Sequence, residues 1–261
     1  MRLDQRRRVE EKQRVASIDI NADLGEGDVA DAEILRVVSS CNIACGGHAG
    51  DSASMRATVA AAIENSVAIG AHPSYPDRDG FGRRSRFLAG ADLLTTLVEQ
   101  IRSLSVVVAE HGAALHHVKP HGALYSDASS DAELADVVAD AVVEACDGVF
   151  LVGLPDSELQ RAARRRGLPF LAEAFIDRAY LADGRLVPRS EPGAVHQSLA
   201  SIEAQAISLA RDHSVTSIDG QLVSLSADTL CVHGDTPGAA EIARVVRHAL
   251  EQQGIEICVA G

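Results

Sequence analysis

The sequence predicts an α/β fold, a distorted seven-stranded β/α barrel in one domain. Three observations predict it. Short apolar runs alternate with stretches of helical spacing along most of the chain, the pattern of parallel strands joined by crossover helices. No Pro/Gly/Ser-rich linker divides the 261 residues, a length that suits a single barrel. Polar and titratable residues follow six of the apolar runs. A closed ring brings six strand ends together, whereas an open sheet mostly uses its switch point.

The elements follow in order. Residues 15–20 read as strand one, which delivers Asn21, Asp23 and Glu26 at its end. Helical spacing over 31–40 leads to a second strand at 41–45 and a glycine-rich turn carrying His48. A helix capped by Asp51 or Ser52 turns Met55, Val59 and Ile63 inward. Strand three, 67–71, ends at His72 before a proline. A long polar loop, 77–86, carries Phe81, Arg83 and Arg84, and loops of that length in compact domains are usually functional.

A helix over 91–110 precedes the most informative stretch, 113–125. Its apolar run stops at Lys119, Pro120, His121 and Gly122. Proline cannot donate to a ladder and biases Lys119 toward an extended backbone, and Gly122 permits the turn. The chain has 24 Lys+Arg, of which only Lys12 and Lys119 are lysines. Unlike arginine, a buried lysine is a compact point charge that can give up its proton.

Beyond it, a helix capped by Ser130 and Asp131 runs to Ala145, strand five covers 149–152, and a helix over 155–166 is closed by Gly167. Strand six, 170–175, is apolar except for Glu173, with Asp177 and Arg178 just after it. Hairpin signals stand at Asp183-Gly184 and Asp219-Gly220. A long helix is expected from about Ser190 to Asp212. Strand seven, 229–232, ends at His233 and Asp235, a helix follows over 239–252, and a last strand, 255–259, is expected outside the ring. Residues 1–14 are charged and repetitive, and read as a disordered or loosely helical extension to a domain spanning 15–261.

Composition excludes some functions. A net charge of −13 argues against nucleic acid, which needs a basic patch. No apolar run reaches the roughly 18 residues of a membrane span, and the N-terminus lacks the apolar stretch of a secretory signal. Five scattered cysteines fit reduced thiols in a cytoplasmic protein. There is no phosphate loop, no H-E-x-x-H and no G-x-S-x-G.

On a barrel, one rim gathers Asp23, His48, His72, Lys119, His121, Glu173, Arg178, His233 and Asp235. Carboxylates beside histidines can activate water for attack on a carbonyl. Lys119 and Arg178 can hold a carboxylate or offset developing negative charge. A metal is compatible with the histidines, but they come from different strands and spacing does not establish ligation.

Seven motifs resemble the LamB/YcsF family: NADLGE (21–26), ACGGHAGD (44–51), AHPSYP (71–76) with GFGRR (80–84), HVKPHGALY (117–125), Glu173 with Asp177 and Arg178, RSEPGA (189–194) and VHGDTPG (232–238). The resemblance spans residues 18–257. It implies a barrel similar to those of glycoside hydrolases and polysaccharide deacetylases. It implies the A component of an ATP-dependent 5-oxoprolinase, which opens 5-oxo-L-proline to L-glutamate with ATP as co-substrate, together with subunits B and C. It leaves room for a divalent metal and for a homodimer.

The expected catalytic residues are Asp23, His72, Lys119, His121 and Asp235. The expected substrate contacts are Asn21, His48, Arg83, Glu173, Arg178 and His233. Two rival readings are a metal-dependent carbohydrate deacetylase, with Asp23, His48 and His72 on the metal, and a non-catalytic member of a larger complex. Two departures from the family pattern stand near the expected pocket: Gly47 replaces the usual Phe, and Ser74 replaces the usual Gly.

Overall fold

Alternation along the first strand sets the architecture. A computed structural model describes residues 16–234, 236 and 238–261. The expectations for residues 1–14 and for Asp235 lie outside the described residues. Ser17–Leu24 forms β1, and all but its first residue are buried. Successive strand side chains point to opposite faces. Ile18, Ile20, Ala22 and Leu24 therefore share one face and join the hydrophobic core. Asp19, Asn21 and Asp23 share the other and bond across the ring.

Each next strand of the ring is parallel to the last. β1 pairs with β2 (Ser40–Ala44), which pairs with β3 (Ala68–His72), then β4 (His117–Val118), β5 (Phe150–Gly153) and β6 (Phe170–Phe175). An antiparallel hairpin follows, β7 (Ser214–Thr216) with β8 (Leu222–Ser224). β9 (Thr229–Val232) then pairs with both β6 and β1, closing a seven-stranded barrel. β10 (Glu256–Ile257) adds to β1 outside the ring, at Ser17 and Ile18.

The helices between the strands are α1 (Asp31–Ile34), α2 (Ser52–Glu64), α3 (Gly90–Glu110), α4 (Gly122–Ser130), α5 (Ala132–Ala145), α6 (Glu158–Arg166), α7 (Leu199–Ile207) and α8 (Ala239–Gln252). Their ends have ordinary chemical causes. Asp51 caps α2 through a reciprocal box with Ser54, and Asp131 caps α5. Gly167 ends α6 at φ +68°, a left-handed conformation that glycine adopts without penalty.

Several expectations need correction. The helix after strand one is a single turn ending at Ile34, because Arg36 and Val37 N–H turn back to the third carbonyl before them and Ser39 N–H joins the ladder at Ile20. Ile63 is 39% exposed, and the fully buried Ala62 takes its place inside α2. The fourth strand contracts to two residues, since Pro120 brings no N–H to extend it. Where sequence suggests only a turn, α4 forms and buries Leu124, Tyr125 and Ala128 on one face. The expected helix from Ser190 begins only at Leu199. Gly193 at φ +80° and a bridge between Arg178 and Val195 hold the preceding segment as a strap over the rim.

Candidate active site

The inner face of the barrel is polar at three levels. At the bottom, Asp19 accepts from Ser40 and Thr229. At mid-height, Asn21 donates to Glu173 and Thr229, while Asn42 donates to Asn21 and Asp23. His117 Nε2 donates to Asn42 Oδ1 at 2.7 Å. Each buried polar atom in this column costs free energy unless it is paired, so the layers fix one another.

Lys119 sits on top of that column, 2% exposed. Its Nζ lies 2.7 Å from Glu173 Oε1 and 2.9 Å from Asp23 Oδ1. Asn21 Oδ1 is at 3.3 Å and Cys231 Sγ at 3.1 Å. The Phe175 ring faces the ammonium at 5.5 Å. Burial opposes the charge, but Asp23, Cys231 and Glu173 more than offset it and hold the Lys119 pKa well above its ordinary value. Proton lability expected from sequence therefore gives way to a permanent ammonium. Burial likewise opposes ionisation of Asp23, but His72 and Lys119 outweigh it, and its carboxyl is held well below the usual range.

Three histidines cluster beside Asp23. His72 Nδ1 donates to the Lys119 carbonyl at 2.7 Å, and its Nε2 lies 3.5 Å from Asp23 Oδ2. His121 Nε2 donates to the Phe81 carbonyl at 2.9 Å, and its Nδ1 faces His72 Nε2 at 3.0 Å. His48 stacks flat on His121 at 3.6 Å and donates from Nε2 to Glu26 at 2.8 Å. Burial and the neighbouring His72 push His48 down to about 2 and His121 lower still, so both rings stay neutral. Across the rim, His233 Nδ1 pairs with Asp177 at 2.8 Å and stacks on Phe175.

A small, partly open cavity lies over these groups. Asp23, His72, Lys119, His121, Arg83, Arg178 and His233 line it, as expected of residues sharing one rim. Asn21, His48 and Glu173 stand behind that lining and touch its members. Arg178 is committed largely to the fold, donating to the Val187 carbonyl and to the Ala194 carbonyl of the strap. Arg84 turns away to Asp77, which also holds Arg86.

Sequence reasoning passes over Tyr125, Arg189 and Glu26 as lining residues. Tyr125 resembles part of a turn, and Arg189 lies in the strap whose sequence suggests a helix. The buried Tyr125 hydroxyl and Glu173 Oε2 have no hydrogen-bond partner among the described residues. Burial, then the charge of Glu173, holds the Tyr125 phenol well above its ordinary value. Among the described residues, two groups bring metal-ligating atoms within 4.8 Å of one another: Glu26, His48, His72 and His121, and Asp23, Cys231 and His233. The trio Asp23, His48 and His72 is thus divided between two groups.

The family model described as the LamB/YcsF family matches residues 18–260. The chain belongs to the LamB/YcsF family. A LamB/YcsF relative from Chloroflexus aggregans, named as the A component of 5-oxoprolinase, is 51% identical over 92% of this chain and 98% of its own. The lactam utilization protein from Thermus thermophilus is 42% identical, covering 93% of this chain and 99% of its own, with a TM-score of 0.87. The barrel is also similar to that of the T48 deacetylase, at 10% identity over 93% of this chain and 87% of the other, with a TM-score of 0.50. That likeness supports the LamB/YcsF barrel as a fold and carries nothing about chemistry.

Proposed function

We propose that this chain is the A component of an ATP-dependent 5-oxoprolinase and contributes the hydrolytic site that opens 5-oxo-L-proline to L-glutamate. The observation that carries the reading is the coincidence of near-full-length identity to a protein of that name with a buried ammonium–carboxylate–imidazole cluster under an open cavity.

In this reading the lactam carbonyl lies over Lys119, whose fixed ammonium stabilises the oxyanion formed when water adds. Asp23 and His72, which His121 positions, take the proton from that water and return it to the ring nitrogen as the C–N bond breaks. Arg83 and Arg189 at the mouth hold the substrate carboxylate. Asn21, Glu173 and His48 act on substrate only through the groups they hold. ATP is handled with partner subunits B and C, in keeping with a chain that has no phosphate loop.

Glutamate release from 5-oxoproline and ATP, assayed with the candidate B and C subunits, tests this. Release should require all three proteins and fall at least about 10²-fold in His72→Ala or His121→Ala, the usual scale for a lost proton-transfer group. Full activity of both variants in the assembled enzyme would make the chain a non-catalytic member of the complex.

A further inference from the structure

We propose that Glu26, His72 and His121, with Asp23 in reach, form a binding site for one first-row divalent transition-metal ion at the cavity floor. The far side of each ring fixes its tautomer. His72 Nδ1 and His121 Nε2 each face a main-chain carbonyl, at 2.7 and 2.9 Å. A carbonyl only accepts, so both of those nitrogens carry hydrogens. The two remaining nitrogens then face each other across 3.0 Å. Either a proton or a metal ion must bridge two ring nitrogens at that distance. Carbonyl-tethered imidazoles of this kind are the usual outer support of metal-binding histidines.

The surroundings suit a metal better than a bare proton. The two rings are nearly perpendicular, at 85°, so their lone pairs converge from different directions. Metal–nitrogen bonds of about 2.1 Å across the 3.0 Å gap give an angle of about 90° at the ion. Glu26 Oε1 lies 3.5 Å from His121 Nδ1, and Asp23 Oδ2 lies 3.5 Å from His72 Nε2. The same bond lengths then give about 115°. A bridging proton would join the nitrogens and leave these oxygens without a common centre. Imidazole with carboxylate is the donor set of borderline divalent ions. All four residues line the cavity, which supplies an entry path and an open coordination position.

His48 stands outside this set. Its ring lies within 5° of parallel to His121 at 3.6 Å, so the in-plane lone pairs of the two rings do not meet at one point. Its Nε2 instead donates to Glu26 and orients it. The site does not depend on the substrate; an ion held here would occupy the free nitrogens of His72 and His121 and leave Asp23 to take the proton in the proposed reaction.

The test uses the full chain without a histidine tag, stripped with chelator and titrated with Co²⁺. We expect one ion per chain, with visible ligand-field bands that shift in His121→Ala. Glu26→Gln, a near-isosteric change, and His121→Ala should each lose more than about 100-fold in affinity. His48→Phe keeps the stacking and loses the donor, and should lose about 10- to 100-fold, the range for an outer-shell partner. Cys231→Ala should bind as the parent does. Circular dichroism and melting of the metal-free variants establish that each folds. Absence of binding to the folded parent overturns the site, as does binding unchanged in Glu26→Gln and His121→Ala or lost in Cys231→Ala. Glutamate release plays no part in this readout, so its outcome stands apart from the proposed reaction.

Discussion

Lys119 and Glu173 meet at 2.7 Å in the barrel interior, one 2% exposed and the other fully buried. A buried pair of this kind is strong evidence of mutual dependence and weak evidence of net stability, because desolvation of both ions opposes their attraction. Removing the cation leaves Glu173 and Asp23 as uncompensated charges. Lys119→Met is therefore expected to cost about 3–5 kcal/mol of stability, measured by denaturant unfolding. Lys119→Arg keeps the charge but forces a larger group against Cys231 and Phe175. We expect a cost of about 1–3 kcal/mol from overpacking and a loss of at least about 10² in turnover, as when an oxyanion-stabilising donor is misplaced. Near-normal glutamate release by the assembled Lys119→Arg enzyme would remove the role given to that ammonium.

Gly47 and Ser74, the two positions expected from sequence to depart from the family pattern, stand side by side. A Cβ at Gly47 would stand 2.3 Å from Gln100 Oε1 and 2.4 Å from Ser74 Oγ. Gln100 of α3 brackets Ser74 on both sides, accepting from its N–H and donating to its carbonyl. The space beside Gly47 is thus filled by Ser74 and Gln100, and none of the three lines the cavity. Gly47→Phe alone should destabilise by about 1–3 kcal/mol through overpacking. Added to Ser74→Gly it should cost less, a coupling of at least about 0.5 kcal/mol in a double-mutant cycle. Additive effects would show that the two positions do not share this space.

The ring of strands is legible in the sequence because each outer face is an apolar run, and β6, β9 and α8 can be placed to the residue. Lys119, His72 and His121 are legible because Pro and Gly break the runs right beside them. The polar column below them is harder to read, although alternating polar residues at 19, 21 and 23, and again at 40 and 42, carry it. Such alternation ordinarily marks a solvated strand face. Here closure buries it, and closure is a property of the whole ring. Glu26 is visible as a polar strand-end group but not as a member of the site, since its partner His48 lies 22 residues away. The strap over 188–197 mimics a helix because Pro192 and Gly193 fit a helix start as well as an irregular segment.

The loop over 77–86 hangs on one carboxylate. Asp77 caps the short turn Arg78–Gly80 and takes ion pairs from Arg84 and Arg86. The Arg84 hydrogen bond, then that of Arg86, holds its carboxyl well below the ordinary range. A depressed folded-state pKa gives stability that is full above the unfolded value, about 3.9, and is lost as pH falls through the folded one. Amide protection in this loop, corrected for intrinsic exchange, should therefore be flat from pH 8 to about 5 and decline only below about pH 4. Asp77→Asn should weaken protection across that whole range, since it removes the charge at every pH. Both arginines are about half exposed, so the effect should also shrink in high salt.

Cys231 tests the electrostatics from the opposite side. A thiol 3.1 Å from an ammonium would ordinarily ionise readily and react. Burial, acting first, raises its pKa; Lys119 pulls it down, but Asp23 and Glu173 push it up again, and the thiol ends well above its ordinary value. Burial also raises Cys41 and pushes Cys45 up to about 12. A raised pKa lowers the thiolate fraction at any given pH, and only the thiolate alkylates. Iodoacetamide at pH 8 should therefore label the exposed Cys258 first and the half-buried Cys146 more slowly. Cys41, Cys45 and Cys231 should stay unmodified until the chain unfolds, as read by peptide mass spectrometry. Rapid native-state labelling of Cys231 would mean that the ammonium is not shared with the two carboxylates, and the charge arrangement assigned to Lys119 would have to be redrawn.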